Sequence, residues 1–577
     1  MSKYFNRAII GNSKILACLD EKAELMRLYY PHIDYFQNVD IYKLGFVRDN
    51  KVSWFADAEL INQYYDGNIV FTKLRYDDMD ILIRDYVLLE KNVIVRKIKF
   101  NQLTNLMIYS KLKSSPDKLI SGMVVNNALI QYCPELYMCT FSKTKIEKAQ
   151  INNVQKVLKH ADLKLEDYIG MSDNSAIMFA PEKEVVIYIT LENELKKALR
   201  TIEHYRKLNE EELFQETKKY WREYTEKYLN KYIGDSKFSN REIDIIERTI
   251  LMYSLLSDKQ TGAVLASPDV DENFTRCGRY GYCWPRDALF INSALLELGM
   301  NELVDKFYKV WAEKTQLTNG LFEQRYYSNG ELAPSWGIQI DETSSIIIGI
   351  SKLKNPQKYK DVVMKATYGL ISFLNDDFVS KECFDLWEER KGSHLYSTAS
   401  IYEALKIAKS ILKKADECAF LIEEIDIILP LIKDGIKKYF IENDKFKRGC
   451  DDYNADISNL SIAVPFDVFE TEDDLVKNTV KEIEEKLKLP NGGYLRYEGD
   501  NYMGGNAWII SSLWLAMYYI KIGDISKANE LFNWATNHAD DKGFLPEQID
   551  RNSDKTAWIT QLSWSHALYI IVGKMLK

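Results

Sequence analysis

Two hydrophobic periods divide the chain. From Lys43 to about Thr190 apolar and polar residues alternate, as in Asp80-Ile81-Leu82-Ile83-Arg84-Asp85-Tyr86-Val87-Leu88-Leu89 and Asn92-Val93-Ile94-Val95-Arg96-Lys97-Ile98-Lys99-Phe100. Alternation sends successive side chains to opposite faces, the signature of strands. Asp49-Asn50, Asp66-Gly67 and Glu90-Lys91-Asn92 separate these runs and read as hairpin turns. The pattern predicts an antiparallel β-sandwich, its sheets packed face to face. From about Leu191 to Tyr232 the chain turns charged and helical, as a helical linker between domains would.

Beyond Phe238 the period becomes 3.6, as in Val362, Val363, Ala366, Leu370, Phe373 and Leu374. Amphipathic segments are expected to begin near Glu242, Pro285, Asn301, Asp341, Gln357, Leu395, Asp416, Asp456, Thr471, Gly504, Ile525 and Thr556. An even number of antiparallel helices can close into a double ring, the (α/α)6 toroid, although periodicity itself says only that helices are paired. The expected division is a β-sandwich domain over 1–190, a helical linker over 191–237 and an all-α domain over 238–577.

With 577 residues, 46% of them hydrophobic, the chain can bury more than one large core. A net charge of -9 without a basic block excludes a nucleic-acid backbone as partner. The apolar run Trp508 to Ile520 is too short to span a bilayer and reads as a buried helix, so no membrane partner is expected. Ala8-Ile9-Ile10-Gly11 is too short for a signal-peptide core. The eight Cys form no Cys-x-x-Cys pair and there is no His-Glu-x-x-His motif. Reduced thiols in the cytoplasm, no metal and no cofactor are the expectation. The 37 Tyr and 11 Trp suit a neutral small-molecule sugar, whose apolar faces flat rings can cover, though most aromatics simply fill cores.

Candidate chemistry concentrates in three loops. In Arg279-Tyr280-Gly281-Tyr282-Cys283-Trp284-Pro285-Arg286-Asp287, Pro285 can occupy a first helical turn, with Trp284 at the mouth and Arg286 and Asp287 just inside. A surface ion pair is the plainer account of those two charges. In Asp385-Leu386-Trp387-Glu388-Glu389-Arg390, two adjacent carboxyls stand beside a Trp. An aromatic wall favours a neutral carboxyl, which a general acid requires, whereas a solvated charge run is the competing reading. In Gly543-Phe544-Leu545-Pro546-Glu547-Gln548, Pro546 fixes the approach to Glu547, which alone reads as an ordinary loop acid. Two acids suffice to hydrolyse a glycosidic bond, and a separation of roughly 6.5 to 9.5 Å leaves room for a water and implies inversion.

These clusters, with Leu562-Ser563-Trp564-Ser565-His566-Ala567-Leu568, resemble glycoside hydrolase family 15, the glucoamylases and their relatives. The resemblance spans essentially the whole chain and implies a β-sandwich, a helical linker and an (α/α)6 barrel. It implies that Glu388 protonates the glycosidic oxygen, Glu547 activates water and Glu389 helps hold the sugar. Arg286 and Asp287 look like the pair that grips the terminal glucose, with Trp284 as an aromatic wall, and Trp387 is a further substrate-binding candidate. Trp336, in Pro334-Ser335-Trp336-Gly337, is similar to the substrate-facing Trp on the acid's side, and Arg496 to a ligand group for the next sugar. Cys283 departs from many relatives. With no starch-binding module or secretion signal recognised, the expected substrates are maltodextrins or glycogen-derived oligosaccharides, cut at α-1,4 linkages from non-reducing ends.

Three rivals are open. An α,α-trehalase shares the family, but that branch typically lacks the doubled acid that Glu389 supplies, and isomaltose- or dextran-directed relatives share more of the motifs. A disaccharide phosphorylase joins a sandwich to the same barrel but needs no second catalytic carboxylate such as Glu547. A non-catalytic glycan-binding or regulatory protein on a decayed barrel has no reason to keep both acids.

Overall fold

The computed structural model describes residues 6–34, 37–114, 118–158, 165–268, 277–413 and 418–577. Two compact units emerge: Met1–Lys227 with Ser254–Leu256, and Tyr228–Tyr253 with Ser257–Lys577.

The first unit is sheet-rich. Its central strand, Val93–Leu112, is 20 residues long and changes neighbours along its length. The first half pairs antiparallel with Met79–Val87 and Glu182–Glu192, the second with Val39–Arg48 and Asn174–Phe179. Period-two alternation survives throughout: Leu106, Ile108 and Leu112 enter the large core with Ile81, Ile98 and Ile187, while Met107 and Tyr109 pack on the opposite face with Ala176 and Met178. Asp85 and Arg96 stand directly opposite in register and are buried, joined by bonds of 2.7 and 3.2 Å. Their mutual pairing is what makes two charges tolerable there.

Hairpin turns follow the residues that accept a left-handed backbone. Asp49-Asn50 adopt φ of 52° and 58°, and Asn126-Asn127 adopt 48° and 57°. Asn127 also donates to Ser142 O at 3.2 Å and Thr144 O at 3.0 Å, and accepts from Ile146 N at 2.6 Å.

The stretch expected as a linker contains two helices, α1 (Leu195–Lys207) and α2 (Glu210–Ile233). Glu210 at the start of α2 accepts from Arg84 at 2.7 Å, Tyr86 at 2.8 Å and Lys97 at 3.0 Å, which pins this end to the strands of its own unit. The division between units falls inside α2.

The second unit is helical: α3 (Asn240–Leu256, its last turn grouped with the first unit), α4 (Pro285–Leu298), α5 (Ile340–Ser351), α6 (Lys360–Ser372), α7 (Leu395–Leu412), α8 (Ala419–Tyr439), α9 (Asp474–Leu487), α10 (Ile509–Lys521), α11 (Ile525–Asn537) and α12 (Ser563–Leu576). A further helical stretch runs from Asn301 through Thr315. α4 packs on α5, α5 on α7, α7 on the short 3-10 turn Ile457–Ile462, that turn on α10, α10 on α12, and α12 on α4. The intervening helices lie against these, α6 between α5 and α7, α11 between α10 and α12.

The helix start expected near Asp416 lies outside the described residues. Three other expectations shift, two of them for a common reason. The segment expected from Asp456 is the 3-10 turn, started by the Asp456 carboxylate accepting from Ser458 N at 2.8 Å. Helices expected near Gly504 and Thr556 begin instead at Ile509 and Ser563, because Ala507–Trp508, Gln548–Ile549 and Thr556–Trp558 pair as a small sheet. Strands this short have no period to read. No helix among the described residues is long and apolar enough to cross a membrane.

Asn127→Gly keeps the left-handed turn but loses three side-chain bonds, and urea unfolding should show it destabilised by about 2 kcal/mol. Asn126→Gly, with no comparable bonds, should match or exceed the parent; equal stability of the two variants would refute this account of the turn.

Candidate active site

Three helix starts line one cavity, at Trp284, Trp508 and Leu562, and three more, at Gln339, His394 and Asp456, hydrogen-bond the 383–390 segment that enters it. Trp284, Gln339, His394, Asp456, Trp508 and Leu562 occupy the residue before α4, α5, α7, the 3-10 turn, α10 and α12. The loops feeding these starts surround a cavity of about 950 Å³, open mouth included. All nine residues singled out in the sequence line it: Trp284, Arg286, Asp287, Trp336, Trp387, Glu388, Glu389, Arg496 and Glu547. Pro285 is the first residue of α4, as its fixed φ favours.

The 385–390 loop is tied by one side chain. Asp385 Oδ1 accepts from Glu389 N at 2.9 Å and Arg390 N at 3.1 Å, and Asp385 Oδ2 accepts from Arg390 Nη1 at 3.2 Å. Within this loop Glu388 adopts a left-handed φ of 64°. That backbone turn sends adjacent carboxylates apart. Glu388 Oε1 accepts from Trp284 Nε1 at 2.8 Å and Arg286 Nη2 at 3.4 Å. Glu389 accepts from Arg496 Nη2 at 2.8 Å and from the Tyr497 hydroxyl. The indole that touches Glu388 is thus Trp284, whereas the sequence neighbour Trp387 donates instead to Asp456 at 3.0 Å. Burial raises the Glu388 pKa, opposed by Arg286, Arg325 and the Trp284 bond, while 20% of its side chain stays open to the cavity.

Beneath Glu388 lies a dense ionic centre. Arg286 Nη1 reaches Asp341 at 2.9 Å and Glu342 at 3.1 Å, and Arg286 N donates to Glu342 Oε2 at 2.5 Å. Burial works against the guanidinium charge, but Glu342, Asp341 and Glu388 outweigh it and hold its pKa well above the ordinary value. Burial pushes Glu342 well up and Asp287 up to about 7, each opposed by Arg286. The surface-pair reading of Arg286 and Asp287 therefore fails, since both are at least nine-tenths buried.

Glu547 stands immediately before the strand Gln548–Ile549 of the small sheet. Its N–H donates to Ile559 O at 2.8 Å and its carbonyl accepts from Ile509 N at 3.2 Å. Its carboxylate accepts from the Tyr280 hydroxyl at 2.8 Å and Gln548 Nε2 at 2.8 Å. Burial pushes its pKa up to about 7 against the pull of Tyr280, Gln548 and Arg496. Arg496 is itself held by Asp500 at 2.9 Å and lies 4.5 Å over the Trp508 ring. Trp336, 43% exposed, stands against the Arg325 guanidinium at 4.4 Å. The cavity wall closes where Ser563 N donates to Ala266 O at 2.8 Å and Ser563 Oγ to Leu265 O at 2.6 Å.

Sequence reasoning gave no role to Tyr280, Arg325, Asp341, Glu342, Tyr502, Trp508 or Trp564. Trp508 and Trp564 carry a usable signal, aromatics at the start of apolar helices, and Tyr280 shares a loop with Trp284. Arg325 has no local signal. Cys283 is buried and pairs through its backbone with Tyr326, and none of the eight cysteines is in a disulfide. Among the described residues no cluster of His, Cys, Asp and Glu could hold a metal ion.

The profile of glycosyl hydrolases family 15 matches residues 241–574. The chain belongs to this family. It is 28% identical to an uncharacterized glycosyl hydrolase of Methanocaldococcus jannaschii over 98% of this chain and 97% of that protein. It is 23% identical to Trehalase 2 of Sulfolobus acidocaldarius over 85% of each chain. It is 24% identical to the isomaltose glucohydrolase of Kribbella flavida over 34% of this chain and 53% of that protein. Among solved structures, a bacterial glucoamylase complexed with acarbose superposes with a TM-score of 0.84 at 18% identity, covering 100% of this chain and 94% of that one. The chain is thus a glycoside hydrolase of family 15 with a glucoamylase-like fold.

The left-handed backbone at Glu388 predicts an order of stabilities. Glu388→Val places a β-branched residue at positive φ and should be about 2 kcal/mol less stable than Glu388→Gly by thermal unfolding. Equal melting of the two would mean that no strain is held there.

Proposed function

We propose that this enzyme is an inverting, exo-acting hydrolase releasing β-glucose from the non-reducing ends of α-1,4-linked gluco-oligosaccharides. The observation that carries the reading is two desolvated glutamates, Glu388 and Glu547, on one cavity with different hydrogen-bond partners. Glu388 is the general acid: burial favours its neutral form, and Trp284 and Arg286 occupy Oε1, leaving Oε2 to carry the proton toward the glycosidic oxygen. As that proton leaves, the Arg286 and Arg325 guanidiniums stabilise the carboxylate that forms. Glu547 is the base: Tyr280 and Gln548 donate to its ionised form while it takes a proton from water attacking the anomeric carbon. Arg286 and Asp287 with Trp284 hold the terminal glucose; Glu389, Arg496, Trp387 and Trp336 hold the next sugar.

The cyclic packing order of α4, α5, α7, the 3-10 turn, α10 and α12 supports an (α/α)6 toroid as the scaffold, and the two-faced central strand supports a β-sandwich before it. Eight cysteines without a disulfide suit a cytoplasmic enzyme acting on soluble dextrins. A second reading, hydrolysis of α,α-trehalose, is favoured by the match to Trehalase 2 along 85% of both chains, and isomaltose hydrolysis by the partial match to the isomaltose glucohydrolase.

An NMR time course on maltotetraose, isomaltose and trehalose, with and without phosphate, tests the proposal. β-Glucose appearing first from maltotetraose is expected; α-glucose first would exclude inversion, and a phosphate requirement would exclude hydrolysis. Glu547→Gln should remove nearly all turnover with sugar binding retained. Glu388→Gln should lose far less activity on α-glucosyl fluoride, whose leaving group needs no proton, than on maltotetraose; equal losses would remove Glu388 from the acid's role.

The base must be ionised, so activity rises with pH as Glu547 loses its proton. With its pKa up at about 7, the acidic limb of kcat/KM in the free enzyme should lie toward neutrality and not near 4.5. Tyr280→Phe removes a donor to the carboxylate and should move that limb to higher pH. A limb that stays put or moves down would contradict Tyr280 as its support.

A further inference from the structure

The first turn of α12 grips the backbone immediately before Glu547. Leu545 N donates to His566 Nε2 at 2.9 Å, and Ser565 Oγ donates to Pro546 O at 2.9 Å. Leu545 O in turn accepts from Leu562 N at 3.2 Å. Leu545 and His566 are completely buried, so no water can replace these bonds.

An amide N–H can only donate, so His566 Nε2 must carry a lone pair. The ring proton therefore sits on Nδ1 and donates to Thr249 Oγ1 at 2.7 Å, while the Thr249 hydroxyl donates to Ile245 O at 2.7 Å. Every donor in this chain has one acceptor, and the direction of each bond is fixed from the Leu545 amide outward. An imidazolium would set N–H against N–H.

We infer that His566 is a positioning residue for the proposed base: with Ser565 it clamps Leu545 and Pro546 and thereby fixes where the Glu547 carboxylate stands in the cavity. The inference rests on the reading of Glu547 as base. Pro546 makes the link stiff, because its ring locks φ and any shift of Leu545 passes on to Glu547. Burial and the nearby Arg248, the charged group facing the ring, push the His566 pKa down to about 3. The imidazole thus stays neutral, and able to accept, throughout the range in which Glu547 titrates.

The test uses the full chain with His566→Leu, His566→Gln and Ser565→Ala, assayed on maltotetraose and α-glucosyl fluoride. His566→Leu should lower kcat on the order of 10²-fold with KM unchanged, since a misplaced catalytic group affects the transition state alone. The loss should be the same factor on both substrates, because water must be activated for each. His566→Gln, whose Oε1 can accept from Leu545, should recover most of the rate. The acidic limb of kcat/KM should also move to higher pH in His566→Leu, as the Tyr280 and Gln548 bonds to Glu547 slacken among Arg496, Asp500 and Tyr502. Ser565→Ala should show a smaller version of this signature and decides the matter if His566→Leu fails to fold. Unchanged kcat in a folded His566→Leu or Ser565→Ala, a loss confined to KM, or a loss spared on glucosyl fluoride overturns the inference. Should Glu547→Gln itself remain active, the reading of the base fails; should it be inactive while both clamp variants are intact, only the clamp does.

Discussion

One buried guanidinium joins the parts of the site that must not drift. Arg286 sits in the first turn of α4, its side chain reaches Asp341 and Glu342 in the first turn of α5, and its other nitrogen reaches Glu388 on the loop before α7. Taking these charges out of water is costly, and only close mutual contact with good geometry offsets it. The carboxyls outnumber the cation, and burial favours the neutral forms of Glu342, Asp287 and Glu388. Removing Arg286 takes the shared cation from Asp341, Glu342 and Glu388, so this one side chain links the starts of α4 and α5 to the loop before α7.

The two glutamates of the doubled acid illustrate how a chain turns adjacency into separation. Residues next to each other in a loop ordinarily share an environment. Here the left-handed turn at Glu388, tied underneath by Asp385, delivers one carboxyl to Trp284 and Arg286 and the other to Arg496 and Tyr497. A small backbone cost, of order 1–3 kcal/mol for a non-glycine residue in that region, puts two neighbouring carboxylates in different surroundings.

Where the sequence carried a period or a turn residue, the structure was legible in it. Alternation between Asp80 and Phe100 marks strands, Asp49-Asn50 marks a left-handed turn, and Pro285 marks a helix start. All nine residues named from the three loops and the family resemblance line a single cavity. What could not be read depends on distant partners. Glu388-Glu389-Arg390 looks like a solvated run until Asp385 and Arg496 enclose it, and Tyr280 is one phenol among 37 until it meets Glu547. The two- and three-residue strands beside Glu547 have no period at all, and they displaced two helix starts.

The strap between Ser563 and the Leu265-Ala266 backbone joins nearly the first wall segment of the cavity to the last. During synthesis the amino-terminal portion of the helical unit emerges first and waits for its closing partner. The pocket is therefore enclosed only once α12 has docked on this segment. A chain cut before Ser563 would hold the 385–390 and 543–548 loops without the wall that encloses them.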